Sequence, residues 1–309
     1  MRAVGISGPG GPEVLEVIDR PVREPGADEV RIAVRAAAVN PADIGLRAAG
    51  EGDFAPPWIP GWDAAGTIES VGPGVDRLAV GERVMAAVSA RRPEGGAQAE
   101  LLVVPAASTV AVPDGASLEQ ASTLPMNGLT AMLGLDLLSL GDGETLLVTG
   151  GAGLLASYVI GIAKHRGIHV LADARNDDRE LVRGFGADHV LPRGGGLVAA
   201  VREIAAGGVA AVYDAAVLGR DVFGAIRDGG GIAVVRGWDG SATERGIGVH
   251  SVRVRPVLER TDWLDELRAL ASDGTLALRV AGEYPPELVA DAQRAMDAGG
   301  LRGRAVIVF

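Results

Sequence analysis

Gly151, Gly153 and Ala156 fit the pattern G-x-G-x-x-A, and an acid, Asp173, follows 22 residues after Gly151. Residues of these types at this spacing can hold the phosphates of a dinucleotide. In such a pattern the first glycine makes a tight turn, the second lets backbone approach a pyrophosphate, and the small third residue lets helix pack on strand. The N-terminus of the helix that follows then supplies amide donors and the positive end of a dipole, and Leu154 and Leu155 of the turn are cofactor-binding candidates with the glycines. Asp173 stands near the spacing at which an acid accepts the adenosine ribose hydroxyls. In a chain with 46 glycines the string alone says little, because turns use glycine for positive φ without any ligand.

The flanking elements give it weight. Leu146–Thr149 reads as a short buried strand, residues 150–156 as the turn, Ser157–His165 as a helix and His169–Ala172 as the next strand. Leu146 to Ala163 is also 18 residues without a charge, about the length of a membrane span. Glycines at 150, 151 and 153 break that reading, and a buried parallel strand followed by a buried helix accounts for the same hydrophobicity.

The alternation continues from about 116 to 250. Leu181–Phe185 is helical, His189–Leu191 a strand, Leu197–Ala206 a helix, Val209–Asp214 a strand, Val222–Arg227 a helix and Gly231–Val235 a strand. Repeated βα units imply a doubly wound parallel sheet. Residues 1–115 instead read as short strands (Val14–Ile18, Glu29–Ala36, Thr67–Val71, Arg83–Val88, Glu100–Val104) separated by turns such as Gly72-Pro73-Gly74 and Pro113-Asp114-Gly115. After 250 come helical patterns at Trp263–Ala271 and Leu288–Met296 and a strand at Arg304–Phe309.

Composition narrows the function class. Net charge is −11, which leaves no basic footprint for nucleic acid or anionic membrane. The chain has no cysteine, so disulfides, thiolate catalysis and sulfur-liganded zinc are excluded; histidines at 165, 169, 189 and 250 lack metal-ligand spacing. The N-terminus is too short in apolar length for a signal segment, and a cytoplasmic enzyme is the expectation.

Several segments taken together carry a resemblance: Val39-Asn40-Pro41-Ala42-Asp43, Pro60-Gly61-Trp62-Asp63-Ala64-Ala65-Gly66, Val71-Gly72-Pro73-Gly74-Val75, Val80-Gly81-Glu82-Arg83-Val84, Leu124 to Ala131, Phe185-Gly186-Ala187-Asp188 and Leu301 to Val306. In this order they resemble the zinc-free quinone oxidoreductase branch of the medium-chain dehydrogenase/reductase superfamily. The resemblance implies an α/β chain with two domains. One is a GroES-like, β-rich catalytic domain from 1–115 and 255–309, the other a Rossmann nucleotide-binding domain over 116–254, with the active site in the cleft between them. It further implies hydride transfer from NADPH, or NADH, to a quinone or α,β-unsaturated carbonyl. The zinc-binding positions of metal-dependent relatives are Asn40, Trp62 and Met126 here, which cannot together bind zinc. The carbonyl oxygen must then be polarised by hydrogen bonds, worth about 3 kcal/mol per donor.

On this resemblance Asn40 is the first candidate donor, and Trp62, with Trp58, lines a planar substrate; Asp43 holds the turn or caps a helix. Thr130, near a helix start, contacts the nicotinamide. Asp173 accepts ribose hydroxyls, whereas Arg175, joined by Arg193, pairs with a 2′-phosphate, and this arginine places NADPH ahead of NADH. Arg236 and Trp238 fall near the nicotinamide. Leu154 departs from the glycine run of relatives and is expected to project toward the pyrophosphate. Asp214-Ala215-Ala216-Val217 likewise lacks the Ser or Thr and Gly of relatives, and Arg236-Gly237-Trp238 puts bulky groups near the nicotinamide. These departures open an alternative, a protein of the same scaffold with impaired nicotinamide binding that binds a small molecule or converts it non-oxidatively. Residues 246–254 resemble the edge strand through which relatives extend the sheet across a two-fold axis, so a homodimer is expected.

Overall fold

The computed structural model describes residues 1–309. In chain order the first elements are β1 (Arg2–Ile6), β2 (Leu15–Asp19), β3 (Glu29–Ala38), α1 (Pro41–Ala49), β4 (Asp63–Val71), β5 (Arg83–Ala87), β6 (Leu101–Pro105), β7 (Thr109–Ala111), α2 (Leu118–Ala121) and α3 (Pro125–Leu138). There follow β8 (Thr145–Thr149), α4 (Leu154–His165), β9 (His169–Ala174), α5 (Arg179–Gly184), β10 (His189–Pro192), α6 (Leu197–Ile204), β11 (Val209–Asp214), β12 (Ile226–Val234) and β13 (Gly248–Ser251). The chain closes with α7 (Thr261–Ser272), β14 (Val280–Tyr284), α8 (Val289–Ala298) and β15 (Arg304–Val308).

Two compact units result. One comprises 1–126, 255–272 and 278–309; the other comprises 127–254 and 273–277. Residues 116–126, which sequence alone assigns to the nucleotide-binding domain, belong to the first unit because α2 packs on β3, β4 and β5.

In the first unit the strands form a mostly antiparallel sheet in the order β14-β15-β3-β4-β5-β7, with β6 also paired to β3 and β1–β2 as a separate pair. Alternating inward residues of β3 and β4 (Val30, Ile32, Val34, Ala64, Ile68) close its core with Val84, Leu102 and Val104. Helix α1 is fixed to α8 by the buried Arg47, whose Nη1 donates to Gln293 Oε1 at 2.6 Å.

The second unit is a six-stranded sheet in the order β10-β9-β8-β11-β12-β13, parallel throughout. The order reverses between β8 and β11, and ligands of such sheets bind at the carboxyl ends of the strands beside that switch point. The uncharged stretch 146–163 is divided between β8 and α4, and no helix is long and apolar enough to cross a membrane. The expected helix at Val222–Arg227 does not form. A 3₁₀ segment, Gly219–Ala225, runs directly into β12, whose Ile226 is buried beside Val209 at the start of β11. Its apolar residues serve a strand as well as a helix, an ambiguity inherent in short runs.

Candidate functional site

The glycine turn leaves β8 at Thr149. Its left-handed residue is Gly150, with φ of +70°, one position before the glycine that the sequence pattern makes the turn former. Gly151 answers to a different constraint: a Cβ there would lie 2.9 Å from the carbonyl oxygen of Asp173 and 3.2 Å from Cβ of Ala172. Its N–H donates to that Asp173 oxygen at 3.0 Å. The turn is thus pressed onto the end of β9. Gly153 precedes α4, which begins at Leu154 and not at Ser157. The first intrahelical bond of that helix runs from Ser157 N–H to the Gly153 carbonyl at 3.0 Å, so the amides of Leu154, Leu155 and Ala156 precede it. Leu154 is only 1% exposed. Its side chain is packed against protein, and Leu155 is half-buried.

Asp173, at the end of β9, is 1% exposed. Its Oδ1 accepts the N–H of Gly150, while Oδ2 is buried without a hydrogen-bond partner. Arg193 Nε lies 3.9 Å from that oxygen, outside hydrogen-bond reach. Burial raises the pKa of this carboxyl, against the Gly150 N–H and the Arg193 charge, which lower it. Arg175, Arg193 and Arg236 are exposed. A turn closed to any Cβ at Gly151, a run of first-turn amides and one orphaned carboxylate oxygen together fit the pyrophosphate and ribose of a dinucleotide.

Across the switch point Asp214, at the end of β11, accepts Thr149 Oγ1 at 2.7 Å and the amides of Leu218 and Gly219 at 3.0 and 2.8 Å. These bonds form the loop 215–219, where Val217 adopts φ of +60°, a conformation costly for a β-branched residue. Thr130 is buried in the second turn of α3, not at its start. Its carbonyl accepts the Tyr213 hydroxyl at 2.8 Å, and Gly134 leaves room for that ring. Trp238 stacks on Phe223 with centroids 5.8 Å apart, and Arg220 lies over both rings.

In the GroES-like unit the three positions Asn40, Trp62 and Met126 are brought together around Asp63. Asp63 Oδ2 accepts Asn40 Nδ2 at 2.7 Å, and Oδ1 accepts the N–H of Met126 in the first turn of α3. Asn40 Oδ1 accepts Arg304 Nε at 2.9 Å. Asp43 accepts the backbone N–H of Asn40 and that of Gly61, both at 2.7 Å, so it holds both the start of α1 and the turn before Trp62. Gly61 has φ of +103°, and a Cβ on it would come within 2.7 Å of the Gln98 amide nitrogen. Asn40, Asp43 and Asp63 are fully buried. Burial pushes both aspartic acids up to about 7, with their hydrogen bonds and the Arg304 charge opposing it. Trp62 is 6% exposed and its Nε1 is buried without a partner, whereas Trp58 Nε1 donates to the Phe54 carbonyl at 2.7 Å.

Sequence reasoning missed Asp63, Arg304, Asp214 and Tyr213. Asp63 and Arg304 do lie within the segments that carry the resemblance, and Asp214 closes a strand beside the glycine turn; those were the available signals.

Residues 26–114 match the alcohol dehydrogenase GroES-like domain. Among curated proteins the chain is similar to a chloroplastic quinone-oxidoreductase homolog of Spinacia oleracea, 32% identical over 62% of this chain and 60% of that protein. It is also similar to a chloroplastic NADPH-dependent alkenal/one oxidoreductase of Arabidopsis thaliana, 37% identical over 61% of this chain and 51% of that protein. The matched stretches thus span about half to three fifths of these relatives. Among solved structures an NAD-dependent alcohol dehydrogenase superposes over 100% of both chains with a TM-score of 0.89 and 28% identity.

Proposed function

We propose that this chain, a quinone oxidoreductase-like member of the medium-chain dehydrogenase/reductase superfamily, is a metal-independent NAD(P)H-dependent reductase of a quinone or α,β-unsaturated carbonyl. The observation that carries the reading is the orphaned Oδ2 of buried Asp173 beside the first turn of α4. A bound nicotinamide dinucleotide supplies hydride; everything else falls to the protein. The amides of Leu154 and Leu155 hold the pyrophosphate, and Asp173 accepts a ribose hydroxyl. Asp214 and Tyr213 keep the loop 215–219 and Thr130 in place. In the GroES-like unit a donor near Asn40 and Trp62 polarises the substrate carbonyl, in the absence of any Cys or His at the positions where metal-dependent relatives bind zinc.

The buried carboxylate favours a free ribose diol over a 2′-phosphate, since it offers an acceptor and repels a second anion. NADH therefore draws level with or ahead of NADPH, whose case rests on the exposed Arg175 and Arg193. The alternative is a protein of the same scaffold with impaired nicotinamide binding that binds or non-oxidatively converts a small molecule. It rests on Leu154, which is buried, and on the altered segments 214–217 and 236–238, and titration with the cofactors decides between the two. We further propose a homodimer through β13, which is the edge strand of the six-stranded sheet.

The purified protein should consume NADH or NADPH when given a simple quinone or cyclic enone, undiminished by a chelator. Calorimetry showing no binding of either cofactor would overturn the reading, and loss of activity on chelation would overturn its metal-free part. Light scattering should give the mass of a dimer at micromolar concentration; a monomer would remove the β13 proposal alone.

A further inference from the structure

We propose that the indole N–H of Trp62 is the donor that takes the substrate's carbonyl oxygen, and that Asn40 is a positioning residue acting through Asp63. The assignment rests on the reductase reading above and names the contact within it. Asn40 was the natural candidate, yet its amide is fully buried, donating to Asp63 and accepting from Arg304. Its hydrogen-bonding capacity is directed inward. The Trp62 indole is the opposite case: Nε1 is buried with no partner, a situation native proteins seldom keep without a reason. An indole N–H is a donor only, so its missing partner must be an acceptor, and a ketone or quinone oxygen qualifies.

The surrounding backbone fixes this donor in place. The Val88 N–H donates to the Trp62 carbonyl at 3.0 Å, the Ala97 N–H to that of Gly61 at 3.0 Å, and the Gln98 N–H to that of Pro60 at 2.9 Å. On its other side Asp63 ties the strand to Asn40 and Met126. A backbone fixed on both sides of Trp62 limits the reorganisation needed as negative charge grows on the carbonyl oxygen, the condition under which such a bond accelerates reaction most. Trp58 is a built-in control, because its N–H already serves Phe54.

The test reads the contact itself. In protein labelled with ¹⁵N, the four tryptophans give four indole N–H signals, assigned by single Trp→Phe variants. Addition of cyclohexanone, the saturated analogue of a cyclic enone, should move the Trp62 signal downfield and leave that of Trp58 in place. Trp62→Phe, which keeps a ring and removes the N–H, should lower kcat/KM for cyclohexenone by about 100- to 1,000-fold. It should leave the dissociation constant of NADH unchanged. An unmoved Trp62 signal, or Trp62→Phe within about threefold of the parent while the parent remains active, would overturn this inference and leave the reductase reading standing. If Trp62→Phe does not fold, the indole shift in the unaltered protein decides, with the signal assigned by elimination from the other three variants. If the unaltered protein oxidises no nicotinamide, the reductase reading fails, and the shift still shows whether Trp62 binds a carbonyl.

Discussion

Two buried aspartates, one in each unit, sit in comparable burial and are used differently. Asp63 is fully buried and both its oxygens accept hydrogen bonds, from Asn40 and from Met126. Asp173 is 1% exposed, yet only Oδ1 has a hydrogen-bond partner, Oδ2 having no more than the Arg193 charge at 3.9 Å. Burial alone thus does not separate architecture from binding. The completeness of the hydrogen-bond set does: a carboxylate with every acceptor used ties chain segments together, and one with an orphaned oxygen is shaped for something that arrives later.

The contrast is broken most directly at Asp63. Asp63→Ala should cost about 2–6 kcal/mol of stability, because it leaves two buried donors, the Asn40 side-chain amide and the Met126 N–H, without the acceptor each uses. Urea unfolding followed by tryptophan fluorescence measures this. A loss below about 0.5 kcal/mol, typical of surface substitutions, would show that the cluster around Asp63 is incidental.

A second consequence of full burial is a pH dependence of known sign. Asp43 and Asp63 have folded pKa values raised from 3.8 to about 7, chiefly by burial. The folded state therefore retains protons that the unfolded chain releases, and the associated stability is complete below about pH 4 and is lost as pH rises through about 7. The urea midpoint should fall from about pH 5 to about 7 and level off above it, and Asp43→Asn should flatten the fall. Surface carboxylates with lowered values act oppositely, but Glu29, lowered to about 2 by its bond to Arg23, changes charge only in acid, outside that window. A midpoint that rises over the neutral range would contradict the assignment.

Asp173 should respond through ligand more than through fold. Asp173→Asn keeps an acceptor for the Gly150 N–H and removes the charge. NADH affinity should fall about 10- to 100-fold, on the scale of a lost charged hydrogen bond, while NADPH affinity stays level or improves. Equal weakening of both cofactors, measured by quenching of intrinsic fluorescence, would make Asp173 a buttress of the turn and nothing more.

The same contrast explains what could be read from the sequence. The strand, turn, helix and acid from Leu146 to Asp173 are consecutive, so periodicity and glycine spacing displayed them, and only the start of α4 and the left-handed glycine were misplaced. The cluster around Asp63 draws on Asn40, Met126 and Arg304, and the Asn40–Arg304 bond spans a separation of 264 residues. No local pattern records such a contact. Asn40 could be named as important from its segment, but whether its amide faces inward or outward is decided by partners that only the fold assembles. Helix α1, short and opened by Asn40-Pro41, was hidden because its start resembles an ordinary turn. Val222–Arg227 was misread because apolar runs of that length suit strand and helix alike.

The smallest effect expected is at Arg175, and it decides which group selects the cofactor. Arg175 is exposed, so any bond it makes to a 2′-phosphate competes with water and salt. Arg175→Ala should raise the Michaelis constant for NADPH by no more than about fivefold, on the scale of an exposed ion pair. NADH should be unchanged, and the difference should shrink in high salt. Arg193 stands 3.9 Å from the orphaned oxygen of Asp173, so Arg193→Ala removes the nearest cation from that carboxylate and should disfavour NADPH further. A loss of NADPH affinity beyond about 100-fold in Arg175→Ala would reverse the ranking: a guanidinium well enough desolvated to matter that much would be the selector, and the unpartnered oxygen of Asp173 would tolerate the phosphate instead of rejecting it.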